Sequence, residues 1–103
     1  MKIRIVNKKN WKWGCEYVGR PSVLGNPFKI GIDGDRKEVI DKYRGWLWEE
    51  IKKKGDVYVE LVRLSKIDKL ILGCWCSPDP CHAEVVRNAI VWLRNQDQIS
   101  LFS

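Results

Sequence analysis

Leu70-Ile71-Leu72-Gly73-Cys74-Trp75-Cys76-Ser77-Pro78-Asp79-Pro80-Cys81-His82 is the stretch on which the reading of this chain turns. Leu70-Ile71-Leu72 is continuous and apolar and stops at Gly73, the pattern of a central strand buried on both faces. Asp79 suits the N-cap of a following helix, and Pro80 suits its first position. That helix covers about Cys81 to Arg94 and buries Val85, Val86, Ala89, Trp92 and Leu93 along one face. Strand, tight turn and helix is how open α/β sheets hold ligands, at the carboxyl ends of their strands.

The same stretch concentrates reactive side chains. Cys74 and Cys76 lie two apart on a strand end, so their sulfurs share a face while Trp75 points the other way. Extended geometry puts their Cα atoms about 6.5 Å apart, the outer limit for a disulfide. Cys81 returns to the same region, so three sulfurs and the imidazole of His82 can converge. Cys81 and His82 in a first helical turn would meet unpaired N–H groups and a favourable dipole, which raise the thiolate fraction of a cysteine. Three readings stay open at this stage. Cys81 or His82 acts as nucleophile or acid–base group, with Cys74 and Cys76 lining the pocket. Alternatively Cys74, Cys76, Cys81 and His82 hold a tetrahedral zinc ion, although C-x-C-x4-C-H is not a usual zinc spacing and neighbouring ligands point apart. Or small cysteines simply pack beneath a turn.

Outward from this stretch, residues 2–6 read as a first strand and Glu16-Tyr17-Val18 as a second, short one. Gly19 to Gly34 is a long ordered loop, punctuated by glycine and proline and anchored by Val23, Leu24, Phe28 and Ile30. Within it Gly19, Arg20, Ser22, Gly25 and Asn26 offer a guanidinium, a hydroxyl, an amide and accessible backbone to an anionic ligand. A helix from about Asp35 to Lys54 buries Val39, Ile40, Tyr43, Trp46, Leu47 and Ile51. Glu49→Lys53 and Glu50→Lys54 support it as i,i+4 pairs, and Gly55 stops it. Trp48 lies about 130° from the centre of its buried face, exposed or on a second interface. Asp56 caps a second helix carrying Val57, Leu61 and Leu64. The spacing therefore predicts a single small α/β domain over residues 1–97. It has a short, largely parallel sheet flanked by about three helices, and residues 98–103 follow as a tail.

A chain of 103 residues, 45% hydrophobic and with six Trp, can build a core without cross-links. No apolar run approaches the roughly 18 residues of a membrane span, and charges interrupt the N-terminal Met1-Lys2-Ile3-Arg4-Ile5-Val6. The expected location is cytoplasmic, or the host cytoplasm for a viral protein, where thiols stay reduced. The net charge of +6 is uneven: residues 1–20 hold six bases against Glu16 alone, while the remainder holds 13 bases and 12 acids. Lys8, Lys9, Trp11, Lys12 and Trp13 interleave cations with rings, the combination that grips single-stranded nucleic acid. Solvated lysines around buried tryptophans would read the same way.

Two motifs carry a resemblance. Tyr17 through Phe28 matches a Y-x-G-R-x-S-x-x-G-N-P-F loop, and Leu72 through His82 matches L-G-C-W-C-x-P-x-P-C-H. With Val6-Asn7-Lys8 and the helix around Glu38–Trp48, the chain resembles the family called domain of unknown function 4326, of bacteria and their phages. Ala83-Glu84 stands where that family tends to have Gly-Asp, and Cys15 lies outside the motif. The resemblance implies a site and no particular reaction. Separately, Gln98-Ile99-Ser100-Leu101-Phe102 is similar to the peptide by which proteins dock on the bacterial DNA sliding clamp. The leading expectation is an enzyme-like domain binding a nucleotide-like or nucleic-acid ligand between the loop and Cys81/His82. The rivals are a zinc-stabilised binding module and a clamp-associated adaptor.

Overall fold

A computed structural model describes residues 2–11, 13–75 and 81–102, with the backbone alone described at 97–102. The elements run β1 (Lys2–Asn7), β2 (Glu16–Tyr17), α1 (Arg36–Lys53), α2 (Asp56–Ser65), β3 (Lys69–Cys74) and α3 (His82–Phe102). The three strands form a parallel sheet in the order β1-β3-β2, so the apolar run of the opening motif is the middle strand. This is an α/β fold.

The register sorts the strand residues onto two unlike faces. Ile3 pairs with Leu70, Ile5 with Leu72 and Glu16 with Leu72, which places these side chains on one side. Leu70 and Leu72 are sealed there against Tyr43, Leu47, Leu61, Leu64, Val86 and Ile90 from the three helices. Arg63 of α2 closes this side at β2, its guanidinium spanning both oxygens of Glu16 at 3.3 and 2.9 Å. That contact holds the Glu16 carboxyl below its usual range. On the other side lie Lys2 with Lys69, Arg4 with Ile71, Val6 with Gly73, and Tyr17 with Gly73. Burial on both faces of β3 is thus incomplete: Ile71 is only half-buried, because Lys8, Trp11 and Cys15 rather than a helix lie over that side. A Cβ on Gly73 would run into Cys15 Sγ at 2.5 Å and Lys8 Cγ at 3.1 Å, so the segment rests directly on the strand backbone.

Helix α1 starts on a capping box. The Asp35 side chain accepts from Glu38 N–H at 2.9 Å, and Glu38 Oε1 accepts from Asp35 N–H at 3.1 Å. It ends at Lys53, and Lys54, the residue before Gly55, takes the left-handed conformation with φ 54° as its C-cap. Lys54 has therefore left the helix, and the ion pairs form at i,i+3 instead, Glu49 with Lys52 and Glu50 with Lys53. Gly55, and not Asp56, occupies the N-cap of α2, and no side chain caps it. Helix α3 runs on to Phe102, past the expected end at Arg94. Arg94 is buried, its guanidinium donating to the carbonyls of Ser65, the last residue of α2, and of Ile67 beyond it. Ile90 is fully buried, while Trp92 is 41% exposed and stands edge-on to half-buried Trp48 at 5.2 Å. In the loop Leu24 is sealed, Phe28 is half-buried, and Val23 and Ile30 reach solvent. Lys12, Cys76, Asp79 and Pro80 lie outside the described residues, and with them the expected cap of α3. Among the described residues no helix is long and apolar enough to cross a membrane.

Leu72 is 0% exposed at the centre of the sheet. Leu72→Ala should therefore lower unfolding free energy by about 2–5 kcal/mol in denaturant titrations. A loss below about 1 kcal/mol would contradict this placement of the core.

Candidate functional site

His82, the first residue of α3, sends its imidazole back under the start of the loop. Its Nε2 lies 2.6 Å from the Val18 carbonyl. A carbonyl can only accept, so Nε2 carries the proton and the neutral ring presents the Nδ1 lone pair elsewhere. Nδ1 faces Cys81 Sγ at 4.0 Å. Burial pushes the His82 pKa down, the nearby Arg20 cation adds to this, and the Val18 bond opposes it. The ring is therefore neutral at pH 7.

Cys81 sits just ahead of α3 rather than inside its first turn. Its sulfur accepts the Ala83 N–H at 3.2 Å, as a capping side chain would, and the residue is 4% exposed. Tyr43 of α1 meets the His82 ring edge-on, with centroids 5.0 Å apart. Its hydroxyl donates to the Leu24 carbonyl at 2.7 Å. Burial first, and the proximity of Cys81 second, raise the Tyr43 pKa, so the phenol keeps its proton and its bond to the loop.

The loop holds its shape through short local bonds. Asn26 accepts from Phe28 N–H with Oδ1 at 2.8 Å and donates through Nδ2 to the Val39 carbonyl at 3.4 Å. Ser22 N–H bonds to Gly19 O, and Gly25 N–H to Ser22 O. Gly19 is required by a close approach: a Cβ there would collide with the Tyr17 ring and hydroxyl.

Between the loop, α1 and the start of α3 opens a cleft of about 590 Å³. Cys81 and His82 line it, facing Gly19, Arg20 and Asn26 of the loop. Two further cations, Lys29 and Arg36, stand on its wall, and the rings of Tyr17, Phe28 and Trp75 complete it. Trp75 Nε1–H donates to the Tyr17 hydroxyl at 3.0 Å, and that hydroxyl donates to the Arg20 carbonyl at 2.6 Å. The ring pair is thereby tied to the loop backbone. No Asp or Glu is among the described lining residues.

Other expected residues lie elsewhere. Ser22 and Gly25 support the loop from behind; Ser22 Oγ is buried with no hydrogen-bond partner among the described residues, and Gly25 packs against the Arg20 backbone. Cys74 is 1% exposed beneath the sheet end. Lys8, Lys9, Trp11 and Trp13 belong to the segment over the second sheet face, not to the cleft. Among the described residues no group of three or more His, Cys, Asp or Glu side chains is placed to hold a metal ion. Cys76, the fourth residue of the zinc reading, is outside them. The side chains of Gln98–Phe102 also lie outside the described ones, so the segment expected to dock on a clamp is described only as helical backbone. Tyr17 and Trp75 stand at fixed positions of the two motifs without being among the expected site residues, and Lys29 and Arg36 lie outside both motifs. Lys29 lies within the loop and Arg36 opens α1 just after it, so closeness in the chain to the motif segment is the available signal.

Residues 3–92 match the model of a protein family described as Domain of unknown function (DUF4326). No curated protein and no solved structure matches the chain.

The lowered pKa of His82 carries a sign. In the unfolded chain an imidazole titrates near 6.5. Below that pH the unfolded state takes up a proton that the folded state resists. Stability therefore falls from about pH 6.5 down to the depressed folded value, and is fully present above 6.5. His82→Gln keeps a donor for the Val18 carbonyl but cannot titrate. Unfolding titrations at about pH 7 and about pH 5.5 should show a smaller loss in this variant than in the parent. Equal losses would remove His82 as the source.

Proposed function

The chain belongs to the family Domain of unknown function (DUF4326), and from that premise we propose that its cleft binds a nucleotide-like anion. The observation that carries this reading is the meeting of Arg20, Lys29 and Arg36 with the rings of Tyr17, Phe28 and Trp75 around one cavity. The cations suit phosphate, and guanidinium groups suit it bidentately. The rings suit a flat base. A volume near 590 Å³ is within the range of small-molecule sites. Neutral His82 adds an unprotonated nitrogen that can accept from a ligand hydroxyl or amino group.

Isothermal titration with nucleoside mono-, di- and triphosphates tests the reading. Binding should weaken about tenfold or more in Arg20→Ala and in Arg36→Ala, as expected for loss of a charge-assisted contact. The fold should melt as before. No binding of any of them by the intact protein, or binding indifferent to both substitutions, would end the proposal.

A second reading, chemistry at the thiol, is favoured by one contact: the Nδ1 lone pair of His82 faces Cys81 Sγ. A neutral base beside a thiol is the disposition of an activated nucleophile. Peptide mapping after brief iodoacetamide treatment should find Cys81 alkylated and protected by saturating nucleotide. A Cys81 that stays unmodified in the native protein would leave the residue a packing and capping group.

A further inference from the structure

The second face of the sheet continues the cleft. Lys2 and Lys69 are paired across β1 and β3 at its amino end, and both are exposed. Arg4 follows on the same side, with its guanidinium 4.9 Å from the centroid of the Trp11 ring. Trp11 in turn lies 6.1 Å from Trp13, which is 71% exposed. At the carboxyl end Lys8 Nζ stands 4.9 Å from the centroid of Tyr17, and Tyr17 packs edge-on to Trp75 at 6.4 Å. Tyr17 and Trp75 are also walls of the cleft. Cations and rings thus alternate from the open end of the sheet to the cavity.

Asn7 fixes this surface to the strand end. Its Oδ1 accepts Lys9 N–H at 2.9 Å, its carbonyl accepts Asn10 and Trp11 N–H at 3.0 Å, and its Nδ2 donates to the Trp75 carbonyl at 3.2 Å. Lys8 N–H adds a bond to the Cys74 carbonyl at 2.9 Å. The turn carrying the lysines is therefore anchored to the strand that leads into the cleft. Glu16, the acid nearest in sequence, is on the opposite face and held by Arg63.

We infer that the ligand of the cleft is part of a single-stranded nucleic acid, with one nucleotide in the cavity and its neighbours along the basic sheet face. The inference rests on the nucleotide reading of the cleft. A strand demands what this face supplies: cations at intervals for successive phosphates, and exposed rings on which any base can stack. A duplex hides its base faces and gives Trp13 and Trp75, the exposed rings of this face, nothing to stack on.

Fluorescence anisotropy of the full chain tests it, with labelled oligothymidylate and oligouridylate of roughly twelve nucleotides, a duplex of equal length, and thymidine monophosphate as competitor. The oligonucleotides should bind at least about tenfold tighter than the mononucleotide, weakening steeply with salt. Trp13→Ala should lower oligonucleotide affinity about tenfold and leave mononucleotide affinity unchanged. Arg4→Ala combined with Lys9→Ala should flatten the salt dependence. The two arms, deoxy and ribo, decide which sugar the face prefers. Duplex binding as tight as single-strand binding overturns the inference. So does mononucleotide binding with no gain in the oligonucleotides, a result that leaves the cleft reading standing. Oligonucleotide binding that depends on Trp13 but ignores Arg20→Ala upholds the face and overturns the cleft.

Discussion

Val18 has both of its backbone polar groups committed to elements far along the chain. Its N–H donates to the Gly73 carbonyl of β3 at 3.0 Å, and its carbonyl accepts from His82 Nε2 at 2.6 Å. These are buried or half-buried groups, and leaving either unpaired would cost about 1–3 kcal/mol. The clamp sets where β2 ends, which direction the loop from Gly19 departs, and which way the imidazole at the start of α3 must turn. It also sets the tautomer of that imidazole. The start of the loop and the His82 imidazole inherit their positions from this one residue, whose own side chain is 1% exposed and packs in the core.

The sheet divides labour between its faces. One is sealed by Leu70, Leu72 and the helices, and it holds the molecule together. The other keeps its charges and rings in water. Lys8 covers part of it with its aliphatic stem against Gly73 while its ammonium rests over Tyr17, a long cation packed along its length. The cleft lies where the two regimes meet, at the carboxyl end of the strands, the usual place for ligands in α/β sheets. Its cations come from both halves of the loop, Arg20 and Lys29, and from Arg36 at the head of α1. The field in the cavity is thus a product of folding and not of any one segment.

That origin explains what was legible in advance. Periodicity reports burial, so the helical face Val39, Tyr43, Leu47 and Ile51 and the middle strand could be read directly. It reports the centre of a face better than its margin. Ile90 is sealed where Trp92 was expected, because Trp92 at the margin finds Trp48 instead of the core. The loop has no period at all, and nothing in its sequence separates sealed Leu24 from exposed Val23. Motif density drew attention to Arg20, Asn26, Cys81 and His82, which the structure brings around one cavity. Ser22 and Gly25 belong to the same motif yet serve the loop's own packing. Lys29 and Arg36 carry no local mark, since what qualifies them is proximity created by α1 docking against the loop.

The strand order has a consequence for how the molecule comes into being. β1 and β2 do not pair with each other; each pairs with β3, which comes after α1 and α2 in the chain. A chain emerging from a ribosome therefore has no sheet to form until residues 69–74 have appeared, and β1 waits unpaired through most of synthesis. Such long-range pairing is slow to close. An exposed strand edge in that interval invites pairing with other chains, and the charges Lys2 and Arg4 on β1 work against it. The clamp on Val18 needs His82 as well, so the cleft closes only after the sheet. The cleft takes shape only once the start of α3 is in place.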